Sequence, residues 1–230
     1  MSTYLQLCRQ LRQDCEVGGT GPSAVLSQTG VLARLVTWIA DEYTELQQEK
    51  DWKWLHKYFT VSATSGDGVY VYTDCTDTVT SAAIDRFSKW HKYEFSCYLS
   101  SAGVGAEYPL IWTEWEDFRL RYRIGTQTNS SPRHVSVDNN LNIVLGPIPD
   151  DTYVVSGGYQ RGPQILAADG DEPEMPSRFH KLIIYDAMTR YGSNSIAQEL
   201  LVRAASEASR LRFALMRDQL PSIRAGDSAA

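Results

Sequence analysis

Residues 31–46 read VLARLVTWIADEYTEL, with Leu32, Leu35, Val36, Ile39, Tyr43 and Leu46 on one face of a 3.6-residue period. That spacing predicts an amphipathic helix that carries the acids Asp41, Glu42, Glu45 and Glu49 and stops near Lys50 or Asp51. Upstream, residues 3–15 repeat the pattern with Tyr4, Leu7, Cys8, Leu11 and Cys15, and Thr3 supplies an N-cap. Downstream, the period returns only after Met175. Ile183, Ile184, Ala187, Met188 and Tyr191 make a third stripe, and Ala197, Leu200, Leu201, Ala204, Ala208, Leu211 and Leu215 a fourth, with a break expected at 192–194. Each stripe buries one face only. The simplest way to satisfy all four is an α+β fold in which a four-helix bundle built from both chain ends carries an inserted β-rich lobe. The expected divisions are 1–55 plus 175–220 for the bundle, 56–174 for the inserted domain and 221–230 for a C-terminal tail.

The block between the stripes reads as short strands at 58–63, 69–73, 84–90, 95–99, 134–137, 142–145 and 153–159. Turn residues punctuate them at 65–68, 138–140, 146–147 and 149–150. Thr113-Glu114-Trp115-Glu116 fits a capping box, and Trp115, Phe118 and Tyr122 follow at helical spacing. The rival there is a strand, because residues 118–124 alternate apolar side chains with Arg119, Arg121 and Arg123. Residues 164–176 read as a return linker. Its acids Asp169, Asp171, Glu172 and Glu174 lack the spacing of a calcium loop.

Hydrophobic content of 43% with six Trp and thirteen Tyr argues for a folded, contact-rich chain with aromatics to spare for subunit interfaces. A formal charge of −6 disfavours a protein that grips nucleic-acid phosphates. No apolar run is long enough to span a bilayer, and Ser2 and Thr3 follow Met1 without a basic and apolar leader, so a soluble product with no membrane partner is expected. Cys8, Cys15, Cys75 and Cys97 have no metal-site spacing and read as buried, reduced thiols.

Motifs for chemistry are sparse. His56, His91, His134 and His180 are scattered, with no partner at metal-ligand spacing, so neither a metal nor a cofactor is expected. Gly19 to Ala24 matches a loose dinucleotide fingerprint, but no strand precedes it, and residues 18–22 read as a loop. Glu114, Glu116 and Asp117 are the best carboxylates for glycoside hydrolysis. Their ordinary reading is as acids favourable to a helix N-terminus. Trp52 and Trp54 offer two indoles for base stacking, but without a basic surround.

The strings Gly19-Thr20-Gly21-Pro22, Gln28-Thr29-Gly30, residues 34–40 (RLVTWIA) and residues 51–55 (DWKWL) open a set of turn and packing motifs. Gly125-Thr126-Gln127-Thr128, Leu145-Gly146-Pro147, Pro163-Gln164, Met175-Pro176, Phe179-His180 and Tyr191-Gly192 complete it. As a set they resemble the phage and prophage head-to-tail adaptor proteins, the connector or tail tubular A-like components, along nearly the whole chain. The resemblance implies a non-enzymatic virion protein of the neck, assembled in the host cytoplasm. It would form a ring, typically of twelve identical copies, beneath the portal and above the tail or nozzle protein. The helical lobe would surround the channel through which DNA passes without sequence specificity during ejection, with Asp41, Glu42, Glu45 and Glu49 as its channel-facing acids. The C-terminal segment from Leu220, Pro221, Ile223 and Arg224 would reach the portal. Two other readings compete: a muramidase-like tail hydrolase, since some tail accessory proteins resembling this one have been credited with that action, and a monomeric DNA-binding module, which would show salt-sensitive duplex binding.

Overall fold

The computed structural model describes residues 2–195 and 198–221. The chain divides into two compact units, one made of residues up to 54 together with those from 163 onward, the other of residues 55–162.

In the first unit, α1 (Tyr4–Asp14) begins at a complete capping box. Gln6 N donates to Thr3 Oγ1, and Thr3 N donates to Gln6 Oε1 at 3.0 Å. The apolar stripe Tyr4, Leu7, Cys8, Leu11 and Cys15 is buried throughout. A loop held by Arg9 Nε on Pro22 O (2.9 Å) and Arg12 Nη1 on Val17 O (2.8 Å) leads to α2 (Gly30–Glu49), which buries Leu35, Val36, Ile39, Tyr43 and Leu46. Past α2, the fully buried Trp52 donates to Leu46 O at 2.6 Å and stacks on Trp54 with centroids 4.9 Å apart, so its ring is committed to packing. The return linker binds both N-terminal helices. Tyr43 OH donates to Gln164 Oε1 (2.8 Å), Gln47 and Gln164 exchange two hydrogen bonds, and Tyr4 N donates to Asp171 O (2.7 Å). Asp169 accepts from Val25 N, and Asp171 from the amides of Ala167 and Ala168.

The unit closes with α4 (His180–Ser195) and α5 (Gln198–Gln219). The helices α1, α2 and α4 pack on one another, whereas α5 packs principally along α4. Its stripe is correspondingly thin, with Ala204, Ala208 and Leu215 buried and Leu200, Leu201 and Leu211 only half-buried.

The expected four-helix bundle with one inserted lobe is therefore corrected. Among the described residues the fold is α+β with five α-helices and ten strands in two sheets, and the terminal helices do not close into a bundle. A stripe records which face of a helix avoids water but not how many partners that face meets. The break expected at 192–194 is also absent. Gly192 lies inside α4, where a Cβ would come within 3.1 Å of Leu201, so this glycine permits a close helix approach.

The second unit holds β1 (His56–Ala63), β2 (Val69–Tyr70), β3 (Thr76–Asp77), β4 (Phe87–Trp90), β5 (Ser96–Leu99), β6 (Tyr108–Pro109), β7 (Ile111–Trp112), α3 (Trp115–Tyr122), β8 (His134–Val137), β9 (Ile143–Gly146) and β10 (Tyr153–Arg161). One antiparallel sheet runs β3-β1-β10-β5-β6, with β4 on the far end of β10, and the other runs β2-β9-β8-β7. β1 and β10 pair along their length from His56 opposite Gln160 to Ala63 opposite Tyr153. Alternation points Phe59, Val61 and Ala63 inward from β1 to meet Trp90, Phe95, Val155 and Tyr159. Val135, Ile143 and Leu145 of the other sheet join the same core. β7 pairs with β8 in parallel, a non-local pairing that no turn signal announces. α3 forms where the aromatic spacing places it, and the rival strand does not. Its N-cap is Glu114, however, because Thr113 Oγ1 is engaged with His134 Nδ1 at 3.0 Å.

Candidate functional site

The acids of α2 do not stand free. Arg190 of α4 pairs with Asp41 (3.4 Å), Glu42 and Glu45 (2.5 Å), and Arg212 of α5 pairs with Glu49 and with Asp186 of α4 (2.9 Å). Five carboxylates thus face two guanidiniums across three helices. Glu42 is largely covered, and burial lifts its pKa to about 6 despite Arg190. Burial likewise raises the Asp186 carboxyl, with Arg212 opposing. Asp41 and Glu45 remain well exposed. This network was not legible as such, because the sequence shows the acids but not which arginines the helix pitch brings opposite them.

On the terminal segment, Leu220 N caps the end of α5 by donating to Met216 O at 2.9 Å, and Pro221 is exposed. Ile223 and Arg224, and Ala197 of the fourth stripe, lie outside the described residues.

The carboxylates considered for hydrolysis are surface groups at the start of α3. Glu114 accepts from Lys92 Nζ at 2.8 Å and Trp112 Nε1 at 3.0 Å, and these bonds hold its carboxyl below the usual range. A general acid for glycoside cleavage needs the opposite shift. Glu116 and Asp117 are exposed in the first turn, where they complement the helix dipole. A concavity of about 590 Å³ in the helical unit, lined by Asp14, Glu16, Tyr191, Glu199 and Arg203 among others, is open to solvent. All four cysteines are buried and unpaired, and burial pushes the Cys8, Cys15 and Cys75 thiols up to about 12 and Cys97 to about 11, which keeps them unreactive.

The histidines are less scattered in space than in sequence. His180 is buried with Nε2 3.1 Å from Met175 O, and burial lowers its pKa. His56 and His91, by contrast, lie against each other with ring centroids 4.1 Å apart and planes tilted by 42°, and His56 Nε2 is 2.9 Å from Glu94 Oε2. Among the described residues, these three form the single cluster whose ligand atoms could hold a metal ion. His91 and Glu94 are neighbours along the chain, but only the antiparallel sheet brings His56 to them.

No helix among the described residues is long and apolar enough to cross a membrane. Compared with known families, residues 2–230 match the model described as SU10 adaptor protein. No curated protein matches the chain.

Proposed function

The chain belongs to the SU10 adaptor protein family, a phage adaptor family, and from that premise we propose that it closes into a ring of identical copies between portal and tail. The membership itself makes it a structural component of the virion that associates with other head and tail proteins. The observation that carries the reading is the extent of the family match, from residue 2 to residue 230.

The outward side of α5 supports contact between copies. Val202 and Phe213 are 67% and 69% exposed there, and the small residues Ala205, Ser206 and Ser209 lie between them. A flat helix face with an apolar side chain at each end suits close packing against a neighbouring subunit, and a ring requires two different faces of every copy to be covered. Twelve copies is the number proposed. The segment from Leu220 and Pro221 through Ile223 and Arg224 contacts the portal, and many weak contacts of this kind become sufficient together. The side of α2 bearing Asp41, Glu42, Glu45 and Glu49 lies toward the channel, where incomplete neutralisation by Arg190 and Arg212 leaves a mildly negative wall that lets DNA pass without gripping it.

The test is electron imaging of the full chain mixed with its cognate portal, alongside Phe213→Asp and a chain ending at Gln219. Wild type forms rings on the portal, Phe213→Asp loses them while remaining folded, and the shortened chain no longer stays with the portal. A wild-type chain that remains monomeric beside the portal overturns the reading.

A further inference from the structure

His56 opens β1, His91 follows β4, and Glu94 closes the turn toward β5, yet their ligand atoms all lie within 4.8 Å of one another. We propose that these three side chains form a binding site for one borderline divalent transition-metal ion, with Zn²⁺ the best match, which cross-links the β-rich unit. Two imidazole nitrogens and one carboxylate oxygen are a donor set that suits zinc-like ions and leaves a position for water, whereas calcium and magnesium favour all-oxygen cages.

The geometry is near what such an ion requires. His56 Nε2 and Glu94 Oε2 stand 2.9 Å apart. Two donors of a tetrahedral zinc, each bonded at about 2.0–2.1 Å, lie about 3.4 Å from one another. A small opening of this hydrogen bond therefore admits the ion. His91 Nε2 lies 3.2 Å from Gln160 Oε1, a second contact that orients the ring. The two histidines are half-buried and Glu94 is exposed, so the cluster has support beneath it and an entry from solvent.

Two backbone features build the cluster. Gly158 of β10 forms its floor, where a Cβ would lie 1.9 Å from Glu94 Oε2 and 2.8 Å from His56 Nε2. The carboxylate thus occupies space that any other residue at 158 would fill. Tyr93, between His91 and Glu94, has φ of 69°, a left-handed conformation that an aromatic residue rarely adopts. It turns the chain so that the side chains before and after it meet. A simple ion pair would need only one histidine, whereas a metal gathers both rings as neutral ligands.

The experiment uses the full chain without a histidine tag, stripped with EDTA, titrated calorimetrically with ZnCl₂ and, separately, with Co²⁺ as a spectroscopic substitute. One ion binds per chain, and Co²⁺ gives a visible ligand-field band that Zn²⁺ abolishes. His56→Gln and His91→Gln each weaken binding by about tenfold or more. Gly158→Ala does the same with all three ligands still in the chain. Should a variant unfold by circular dichroism, the wild-type cobalt band decides the matter. Absence of that band, or Zn²⁺ affinity unchanged across the folded variants, overturns the proposal. The site lies within the β-rich unit, so its test is independent of whether the chain forms a ring.

Discussion

Gly192 of α4 sits against Leu201 of α5 so closely that a Cβ at 192 would lie 3.1 Å from the leucine Cβ and 3.2 Å from its backbone nitrogen. α5 packs mainly on α4, so this contact sets how near the last helix can come. Gly192→Ala sets a helix-propensity gain of about 1 kcal/mol against a tight contact with backbone, and the expected net change is less than about 1 kcal/mol. Gly192→Val adds methyl groups with no space to enter, and a loss of about 1–3 kcal/mol is expected from overpacking. Urea midpoints of the two variants check this. Equal stability of Gly192→Val and wild type would show that the helices are not held at this distance.

The carboxyl of Glu42 has its pKa raised to about 6 by burial, against the pull of Arg190. Its unfolded value is lower, so between about pH 4.5 and pH 6 the folded chain holds the extra proton and stability falls as pH rises. Above that window the charged side chain is a standing cost. Glu42→Gln mimics the protonated form and is expected to stabilise the chain at pH 7 by about 1 kcal/mol, allowing for solvent screening. Below about pH 4.5 the variant and wild type should converge. Unfolding curves recorded across this range read the difference, and a destabilised Glu42→Gln at pH 7 would contradict it.

Tyr159 OH donates to Asp77 Oδ2 at 2.7 Å inside the β-rich unit, while Val79 N and Thr80 N donate to Oδ1 at 2.9 and 2.8 Å. Burial works against the charged carboxylate, but these three donors and the Thr80 hydroxyl hold its pKa below the usual range. The stability they contribute is present above about pH 4 and is lost as pH falls toward the lowered value. Tyr159→Phe removes one donor from a buried anion and is expected to cost about 1–3 kcal/mol at neutral pH. The measurement is the urea midpoint at pH 7 and at pH 3, with a smaller difference expected at the lower pH.

Lys92 and Trp112 keep Glu114 ionised, which suits an ion pair and not an acid catalyst. The purified chain is therefore expected to leave peptidoglycan intact in a gel overlay. Glu114→Gln with Glu116→Gln should join head to tail as wild type does. Clearing by wild type that the double variant abolishes would restore the hydrolase reading.

Local patterns were readable where one element decides its own form. Thr3 caps α1, the apolar spacing of 31–46 marks the buried side of α2, and the short run at 134–137 reads as the strand β8. Patterns that depend on a partner were misread or silent. Gly192 looked like a helix stop because glycine weakens helices, and its use against Leu201 exists only once α5 folds back. Thr113 looked like a cap because the strand that offers it His134 is remote in sequence.

By itself the sequence determined which residues turn from water and where most helices and strands run, because burial period follows backbone geometry within a few residues. Only the tertiary structure decided that α5 rests on α4 without closing a bundle, that Arg190 and Arg212 take up the acids of α2, and that His56 and Glu94 meet over Gly158. Those outcomes depend on helix rotation and strand register between distant segments, and no periodicity along one segment encodes the angle or offset at which another will meet it.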